Sequence, residues 1–562
     1  MKVLILGGYG TFGGRLAMLL AGDLRFVLLI AGRSREKAAS FCASLGGGAR
    51  ALPLAFDREG DVAAQLRAAA PDIVVDASGP FQAYGAEPYR VVESCVALGI
   101  DYLDLADGAD FVAGIARFDA AARARGVYAL AGVSSFPVLT AAAVRALLKN
   151  GETLDSVSAG IAPSPFAGVG LNVIRAIAGY AGKGVPILRD GRATRAPALI
   201  DSRRFTIAPP GCLPLGRIRF SLVDVPDLAV VPAIWPSLRS VWVGAGPVPA
   251  SLHRGLSLLA WLVRLGLVRS LAPLARLFHW AISRLRWGEH RGGMFVSVAG
   301  RDATGGAMAR SWHMLAEGDD GPFIPSMAAA AILRRALAGA KPAPGARSAA
   351  RELELGDYAP EFSARRIVTG VRDTVEEGVT APLFRRILGR AWDDLPERVR
   401  ALHARAGAHA WEGVASVERG RGLPARAVAA LFRFPRAAAA VPLRVEIAPR
   451  GERSMWRRRF AGRGFTSVLG AGRGRFERLL VERFGPFAFG VALVRDGETL
   501  RYVVRRWSAF GVPMPRAWAP GGATREYDDA GRFGFDVEIR APLAGLIVRY
   551  KGWLEPASEP GR

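Results

Sequence analysis

Short apolar runs alternate with longer segments of helical periodicity over the first 150 residues. Runs such as VLIL and IVVD are almost continuously apolar, which is typical of strands covered on both faces of a parallel sheet. The predicted strands are Val3–Leu6, Phe26–Ile30, Ala51–Phe56, Ile73–Asp76, Tyr102–Leu105 and Val127–Ala131. The predicted helices between them include Glu36–Leu45, Val62–Ala69, Tyr89–Ala97 and Phe111–Arg125. This alternation predicts an α/β domain over residues 1–150 with a doubly wound parallel sheet, whose ligand binds at the carboxyl ends of the strands.

The pattern is less regular from residue 151 to residue 370. The strands predicted there are Ser156–Ile161, Phe295–Ala299 and Ala307–Leu315, and a helix is predicted at Pro325–Leu337. We expect an α+β middle domain that binds substrate or mediates dimerisation, with a polar linker over residues 341–372. From residue 371 to residue 562, alternation with period two predicts a mainly antiparallel β domain of unknown function. Its clearest strand patterns are residues 443–447, 487–494, 500–504, 533–539 and 546–550.

One segment of the middle domain, residues 256–287, is apolar but interrupted by arginine. Pro273 divides it, so the pattern predicts a hairpin of two helices. One interpretation is a partly buried helix pair in a domain interface or a homodimer interface. The other is an amphipathic surface that rests on a membrane or admits a lipid chain.

The amino-acid composition indicates a globular protein and argues against a nucleic-acid partner. The 562 residues carry a net charge of +25, and 51% of them are hydrophobic, as in a globular protein. Only six of the 75 basic residues are lysine, and no basic block is interleaved with aromatic residues. We therefore attribute the charge to the arginine bias of a GC-rich genome and expect no nucleic-acid partner.

Cysteine and histidine usage indicates the compartment and the kind of site. Cys42, Cys95 and Cys212 form no C-x-x-C pair, and the six histidines form no H-E-x-x-H motif. We expect a reducing, cytoplasmic environment and no metal site. The first apolar run is too short for a signal peptide, and no transmembrane segment is expected. A membrane-resting surface at residues 256–287 would place the protein at the inner face of the membrane.

A glycine-rich segment follows the first predicted strand and leads into a helix. Glycine is needed at such a turn because a side chain would keep the backbone away from a pyrophosphate, which the helix N-terminus then binds. The sequence MKVLILGGYGTFG therefore predicts a dinucleotide site. The residues that we expect to contact the cofactor are Gly7, Gly8, Gly10, Thr11, Phe12 and Gly13.

The residues after the second strand indicate which dinucleotide binds. A site that prefers NAD usually places an acidic residue there to bind the ribose 2′-hydroxyl. This chain instead has Arg33, Ser34 and Arg35, and arginine forms charge-assisted hydrogen bonds with phosphate. NADP(H) is therefore the predicted cofactor, and solvated surface arginines are the alternative reading. Asp57, after the third strand, is a further candidate for the adenine edge or for a helix cap.

The loop after the fourth strand is the next candidate. Ser78, Gly79 and Pro80 follow the strand IVVD, so they lie at the carboxyl edge of the predicted sheet, beside the cofactor. In the middle domain, Asn172 and Arg301 are candidates for contacts with substrate.

Five segments together resemble a known family. GGYGTFGG, AGRS, VVDASGPFQAYG, CVALGIDYLDLADG and GVSSFPVL are similar, in order and spacing, to saccharopine dehydrogenase-like oxidoreductases. The resemblance covers residues 1–140 and, more faintly, residues 321–337. It implies a Rossmann domain, a nicotinamide cofactor and hydride transfer, but not saccharopine as the substrate. Relatives often end the tyrosine–aspartate segment in Gly-Glu, whereas this chain has Asp107-Gly108, so no role is carried over to Asp107.

The residues from about 380 resemble an uncharacterised domain that is found fused behind such reductases. The segments LFRRILG, WDDLP and PLAGLIVRYKGWL carry this likeness. It implies no known activity. Aromatic residues of this domain could line a hydrophobic pocket or simply face the core: Phe487, Phe489, Trp507, Phe533 and Phe535.

The sequence identifies no catalytic residue with certainty. No tyrosine is followed four residues later by lysine, so the pair used by short-chain dehydrogenases is absent. Tyr84 and Tyr102 are the candidate proton donors, with Asp104 or Asp107 tuning them, and a structural role is the favoured alternative for each of these residues. His313 is better explained as a core histidine.

These features predict an NADP-dependent oxidoreductase whose substrate is an apolar or amphipathic small molecule or a lipid-like molecule. Two alternatives remain open. One is a trans-acting enoyl reductase for lipid or polyketide chains, and the other is a nucleotide-binding scaffold or sensor without catalysis.

Overall fold

The computed structural model describes residues 1–247, 250–378, 380–405 and 407–557. The strands are β1 (Lys2–Leu6), β2 (Val27–Gly32), β3 (Arg50–Ala55), β4 (Ile73–Asp76), β5 (Asp101–Asp104), β6 (Tyr128–Ala131), β7 (Thr153–Ala162), β8 (Gly184–Arg189), β9 (Arg192–Pro197), β10 (Ser202–Ile207), β11 (Leu215–Leu222), β12 (Ser240–Ala245), β13 (Arg291–Arg301), β14 (Ala307–Glu317), β15 (Gly345–Ser348), β16 (Ile367–Asp373), β17 (His409–Arg419), β18 (Ala438–Arg450), β19 (Arg453–Phe460), β20 (Arg463–Ala471), β21 (Leu480–Phe484), β22 (Phe487–Asp496), β23 (Thr499–Ala509), β24 (Val512–Pro513), β25 (Thr524–Asp529), β26 (Arg532–Ala541) and β27 (Gly545–Pro556). The α-helices are α1 (Thr11–Leu20), α2 (Arg35–Ser44), α3 (Val62–Ala69), α4 (Arg90–Leu98), α5 (Ala109–Gly114), α6 (Asp119–Arg125), α7 (Thr140–Leu147), α8 (Leu171–Tyr180), α9 (Asp227–Ile234), α10 (Ala250–Arg264), α11 (Ala275–Arg284), α12 (Ile324–Leu337), α13 (Leu355–Ser363), α14 (Leu383–Leu388), α15 (Glu397–Ala404) and α16 (Leu423–Leu431).

The N-terminal sheet has seven strands in the order β15-β6-β5-β4-β1-β2-β3, and its strand pairs are parallel. The apolar residues of β1 and β4 are almost completely buried, as expected for central strands with both faces covered. The doubly wound fold predicted from the sequence is therefore confirmed. The chain reverses its winding direction between β1 and β4, which places the ligand crevice at the carboxyl ends of these two strands.

The linker predicted over residues 341–372 is wrong for most of its length. The strand β15 pairs with β6 at the edge of the N-terminal sheet, α13 begins with a capping box, and β16 joins the second sheet. The guanidinium of Arg145 donates hydrogen bonds to the Glu354 carboxylate at 2.6 Å and to the Ala350 carbonyl at 3.0 Å. The sequence GARS of β15 is too short and too polar for its apolar pattern to predict a strand.

The second sheet is mixed, with the order β10-β11-β12-β7-β13-β14-β16. Its central strand β7 is parallel to β12 and antiparallel to β13. Gly160 on β7 leaves room for two aromatic rings, because an added Cβ would lie within 3.1 Å of Phe220 and closer still to Phe295. The α+β character predicted for the middle region is confirmed.

The chain divides into two compact units. One comprises Met1–Phe205 and Ile218–Thr369, and the other comprises Thr206–Arg217 and Gly370–Arg562. The boundary predicted at residue 150 stays a prediction, since both of the first two sheets belong largely to the first unit.

The second unit is built on an antiparallel barrel of ten strands, as the period-two pattern of the sequence predicted. The strands β17–β23 and β25–β27 form the ring, which the pairing of β22 with β23 closes, and the short β24 extends it. Phe533 and Phe535 are buried in its core, so the core interpretation holds for these two rings. His403 of α15 stacks on Phe384 of α14 and lies 2.7 Å from the Glu526 carboxylate.

Candidate functional site

The turn between β1 and α1 lies at the switch point of the N-terminal sheet. Gly7 has φ +68°, and its carbonyl accepts a hydrogen bond from the N–H of Gly10 at 2.8 Å. A Cβ on Gly8 would lie 2.8 Å from the Ile5 carbonyl oxygen, and a Cβ on Gly13 would collide with the Gly7 carbonyl. Only glycine fits these three positions, so the backbone of the turn is bare and open to an approaching ligand.

The loop after β4 lies against this turn. A Cβ on Gly7 would lie 2.8 Å from the carbonyl oxygen of Ala77 and 2.9 Å from Cα of Ser78. The Asp76 carboxylate accepts hydrogen bonds from the Ser78 N–H at 2.9 Å and from the Ser78 hydroxyl at 2.5 Å. The structure thus brings together two motifs that lie seventy residues apart in the sequence, the glycine turn and the Ser78–Pro80 loop.

Tyr84 forms hydrogen bonds that fix the position of this loop. Its hydroxyl is 2.8 Å from Ser78 Oγ and donates to the Asp76 carboxylate, while the Arg58 guanidinium lies 3.2 Å from its ring centroid. Burial raises the pKa of the Asp76 carboxyl, and burial together with the Asp76 charge raises the pKa of the Tyr84 hydroxyl. Tyr84 therefore retains its proton, and its position holds the loop in place.

The other two catalytic candidates are fully buried. Asp104 Oδ1 accepts hydrogen bonds from the N–H groups of Ala106 at 2.9 Å and Gly132 at 2.8 Å, and Tyr102 is 0% exposed. Burial raises the pKa of Asp104 to about 8, so its carboxyl carries a proton at neutral pH. These contacts fix the backbone after β5 and β6.

Of the three residues that follow β2, Ser34 forms hydrogen bonds within α2, whereas Arg33 and Arg35 are exposed to solvent. Ser34 caps α2, since its hydroxyl accepts from the N–H of Lys37 and donates to the Glu36 carboxylate. Arg33 and Arg35 are exposed, and neither forms a salt bridge within the described residues. Sequence reasoning missed the role of Tyr9, whose ring fills the space over Gly32 and whose hydroxyl accepts from the Ser34 N–H.

Asp57 is an exposed turn residue after β3. Its carboxylate accepts a hydrogen bond from the N–H of Glu59, and its own N–H donates to the Gln65 side chain at 2.8 Å. The N-cap of α3 is Asp61, whose carboxylate accepts a hydrogen bond from the N–H of Ala64 at 2.9 Å. The helix-cap alternative for Asp57 is therefore wrong, and Asp57 shapes the turn that precedes this cap.

The middle region contributes residues to the same edge of the sheet. The side chain of Asn172 donates a hydrogen bond to the carbonyl of Gly79 at 3.0 Å, and a Cβ on Gly170 would lie 3.3 Å from Thr11 Oγ1. The N-terminus of α8 therefore lies beside both the glycine turn and the Ser78–Pro80 loop. The sequence singled out Asn172 but gave no signal for Gly170, because only the tertiary fold brings it here.

Two other candidates lie in different surroundings. The Arg301 guanidinium donates to the Gly305 carbonyl within the β13–β14 turn, and His313 is buried, 2.8 Å from Ser311 Oγ and stacked on Phe205. The described contacts of Arg301 and His313 therefore do not involve the glycine turn.

A group of ionisable residues that the sequence did not identify lies close to Asp107. Asp107 accepts a hydrogen bond from Gln82 at 3.0 Å, and its charge and that of Asp224 raise the pKa of the Tyr180 hydroxyl in addition to the effect of burial. Burial raises the pKa of both carboxyls. This group joins α8, the residues after β5 and those after β11, so only the fold could reveal it.

The comparison with protein families agrees with this geometry. Residues 3–131 match the family described as saccharopine dehydrogenase NADP binding domain. Residues 395–554 match a domain family of unknown function, DUF4166. No curated protein matches the sequence.

Three solved structures are similar to this chain at low identity. Saccharopine dehydrogenase (L-Glu forming) from Saccharomyces cerevisiae is 13% identical, with a TM-score of 0.47, and the match covers 66% of this chain and 99% of that one. A meso-dapdh mutant from Clostridium tetani is 12% identical over 65% of this chain and 98% of that one, with a TM-score of 0.30. The WlbA dehydrogenase from Thermus thermophilus, solved with NAD and α-ketoglutarate, is 13% identical over 64% and 94%, with a TM-score of 0.29. Sequence identities and TM-scores this low do not identify a substrate for this chain.

The glycine turn with its bare backbone and the adjoining loop fit a nicotinamide dinucleotide, in agreement with the family match. Residues 3–131 of this protein thus match a saccharopine dehydrogenase-type NADP-binding domain, and residues 395–554 match a domain family of unknown function.

Proposed function

We propose that this protein is an NADP(H)-dependent oxidoreductase that acts on an apolar or amphipathic substrate. The observation that carries the cofactor assignment is the absence of an acidic residue among the three residues that follow β2, together with two exposed guanidiniums, Arg33 and Arg35, that have no salt-bridge partner in the described structure. A 2′-phosphate would accept charge-assisted hydrogen bonds from these two guanidiniums.

The chain's own residues would hold the cofactor in three places. The bare turn at Gly7, Gly8 and Gly13 accepts the pyrophosphate at the start of α1. Arg33 and Arg35 bind the adenosine phosphate. Ser78 borders the nicotinamide, held by its hydrogen bonds to Asp76. When bound, the nicotinamide supplies or accepts the hydride.

A fluorescence titration with NADPH and NADH tests the cofactor assignment. Arg33→Gln should weaken NADPH binding by about tenfold, which corresponds to the loss of one charge-assisted hydrogen bond, and leave NADH binding unchanged. Arg125→Gln removes the same charge from the end of α6, at the opposite edge of the sheet, and serves as the control. Equal affinity of the wild-type protein for the two cofactors would contradict the role of Arg33 and Arg35.

The substrate class is inferred from the helical hairpin of α10 and α11. Its exposed side chains include eleven large apolar residues, and between Ala250 and Gly288 the chain has no Asp or Glu. The exposed apolar residues are Leu258, Trp261, Leu262, Leu265, Leu267, Val268, Leu274, Leu277, Trp280, Leu285 and Trp287. Six arginines lie among them: Arg254, Arg264, Arg269, Arg276, Arg284 and Arg286. Tryptophan, leucine and arginine on one exposed surface are the composition of a helix that lies in the interface of an anionic membrane.

The hairpin packs on the helix that reaches the candidate site. The helix α8 contacts α11 and the turn before it, and a Cβ on the following Gly182 would lie 3.0 Å from Val263 of α10 and collide with the Ala260 carbonyl. At its other end, α8 presents Asn172 to Gly79 of the cofactor loop. A membrane-bound hairpin would therefore hold the cofactor edge close to lipid, which favours a lipid-like substrate. Among the described residues, no helix has both the length and the apolar character needed to span a membrane.

Co-sedimentation with vesicles tests the membrane contact. The wild-type protein should bind vesicles that contain phosphatidylglycerol at low salt and dissociate at high salt. The double variant Trp261→Ser, Trp280→Ser should lose this binding. Trp518→Ser, which removes a 60% exposed tryptophan from the C-terminal unit, should not. Failure of the wild-type protein to sediment would favour the other interpretation of the hairpin, an interface within a homodimer.

Turnover assays separate the catalytic alternatives. Oxidation of NADPH with a lipid-linked enoyl substrate would identify the trans-acting enoyl reductase as the finer assignment. Tight NADPH binding without oxidation on a panel of enals, enones, imines and ketones would instead indicate a scaffold or sensor.

A further inference from the structure

The barrel of the C-terminal unit carries a concave pocket whose lining includes four arginines. Its volume is about 170 Å³, and its floor is formed by Gly470 beside Val481 on neighbouring strands. The charged residues around it are Arg386, Glu452, Arg453, Arg473 and Arg483. The pocket lining therefore includes four positively charged side chains and one negatively charged side chain.

The cations come from four different parts of the chain. Arg386 belongs to α14, Arg453 to β19 and Arg483 to β21, and Arg473 lies in the loop after β20. Their convergence follows from the strand register, which pairs Arg453 with Gly470 and Val468 with Arg483. These pairs lie two residues apart on β20, so Arg453 and Arg483 lie on one face of the sheet.

Gly470 and the glycine-rich loop shape the space between these side chains. A Cβ on Gly470 would lie 3.0 Å from Cγ of Arg453, so a larger residue would displace this arginine. Gly472 holds the loop against β21, since its N–H donates to the Leu479 carbonyl at 2.8 Å. The ring of Phe476 contributes an apolar side to the pocket.

The charges of the pocket are not balanced by the protein. Glu452 forms a salt bridge with Arg473 at 2.5 Å, whereas Arg386, Arg453 and Arg483 form no salt bridge with any residue that the structure describes. Arg453 and Arg483 are exposed and Arg386 is partly buried, so water weakens the repulsion between these guanidiniums, and a bound anion would offset what remains. The planar guanidinium donates two parallel hydrogen bonds to phosphate oxygens, which makes phosphate the best-matched anion.

We propose that this pocket binds a phosphate group, carried by a small phosphate ester or by a lipid headgroup. The site is separate from the dinucleotide turn and does not depend on the proposed function. It would give the domain of unknown function a ligand of its own.

Titration calorimetry of the full chain with inorganic phosphate tests this proposal. The measurement is made with NADP⁺ at a concentration just sufficient to fill the dinucleotide site, so that this site does not contribute and excess NADP⁺ does not compete at the pocket. We expect saturable binding at one site, weakened by about tenfold in Arg453→Gln and in Arg483→Gln. Arg453→Lys keeps the charge but loses the forked geometry, so its phosphate affinity should lie between that of the wild-type protein and that of Arg453→Gln.

The control is Arg463→Gln, which removes one exposed positive charge from the same barrel outside the pocket. If phosphate binds the three glutamine variants equally, or if no saturable binding is found, the proposal is wrong. Vesicles with and without phosphatidic acid, used in a Trp261→Ser, Trp280→Ser background so that the hairpin does not contribute, distinguish the two sources of phosphate. A loss of vesicle binding in Arg453→Gln identifies a lipid headgroup, whereas unchanged vesicle binding with weakened phosphate binding identifies a soluble phosphate ester.

Discussion

Gly7 lies in contact with the Ser78–Pro80 loop, and replacing it with alanine would cost stability for two reasons. A matched substitution at a second glycine separates these two contributions. The first is conformational, because φ is +68° at Gly7 and L-residues rarely adopt this region. The second is steric, because the new Cβ would lie 2.8 Å from the Ala77 carbonyl oxygen and 2.9 Å from Cα of Ser78. Gly126, with φ +69° and no atom within 4 Å of its Cβ position, isolates the first cost.

The two variants should therefore differ in a predictable way. Gly126→Ala should lower the free energy of unfolding by about 1 kcal/mol and leave NADPH binding unchanged. Gly7→Ala carries the same conformational cost and an overpacking cost of about 1–3 kcal/mol, because backbone atoms surround the new methyl group. Restoring ordinary contact requires the turn and the loop to separate by roughly 0.5 Å. Since both segments border the proposed cofactor site, we expect NADPH affinity to fall by at least about tenfold.

Denaturant unfolding and fluorescence titration of the two variants give the required numbers. The reasoning would be refuted if Gly7→Ala bound NADPH as tightly as the wild-type protein. It would also fail if Gly126→Ala weakened binding to the same extent, because the effect would then follow from lost stability and not from the contact with the loop.

Substitutions at three further residues test the buried polar groups. Tyr84→Phe removes the hydrogen bonds to Ser78 and Asp76 while the ring stays in place, so NADPH affinity should fall by about five- to tenfold with little change in thermal stability, as measured by parallel titration and melting. Asp104 has a folded-state pKa of about 8, above its ordinary 3.8. Folding therefore takes up a proton between these values, and the free energy of unfolding should fall as the pH rises from about 4 to about 8. Asp104→Asn should flatten this slope in denaturant titrations, and an unchanged slope would contradict the assignment. Arg372 is buried, with salt-bridge contact to Glu377 at 2.8 Å and hydrogen bonds to two carbonyls. Arg372→Ala should destabilise the C-terminal unit by about 3 kcal/mol, and Arg372→Lys, which lacks the fork, should rescue little of this loss in the same melting experiment.

Elements with a strong and continuous pattern were predicted almost to the residue. The strand at Ile73–Asp76 and the helix at Val62–Ala69 agree with the structure, because a buried strand must be apolar throughout and an amphipathic helix must repeat its apolar residues every turn. The single helix predicted over Phe111–Arg125 is interrupted between α5 and α6, which the apolar period alone could not indicate.

The strand β15 and the helix α13 were not predicted, because short polar segments have no strong apolar pattern. The strand β15 pairs with β6, and Arg145 donates a hydrogen bond to Glu354, the N-cap of α13, across more than 200 positions of the chain. A linker and an edge strand have similar local composition, so only the pairing partner distinguishes them.

The amino-acid sequence by itself determined the doubly wound N-terminal sheet, the bare glycine turn, the unusual arginines after β2 and the antiparallel character of the C-terminal region. These are properties of neighbouring residues and of periodicity, and both are visible along the chain. The tertiary structure alone decided that Ser78 lies against Gly7, that α8 connects the cofactor loop to the exposed hairpin, and that Arg386, Arg453 and Arg483 share one pocket. Such proximities depend on strand order and register, which bring together side chains that the sequence keeps far apart.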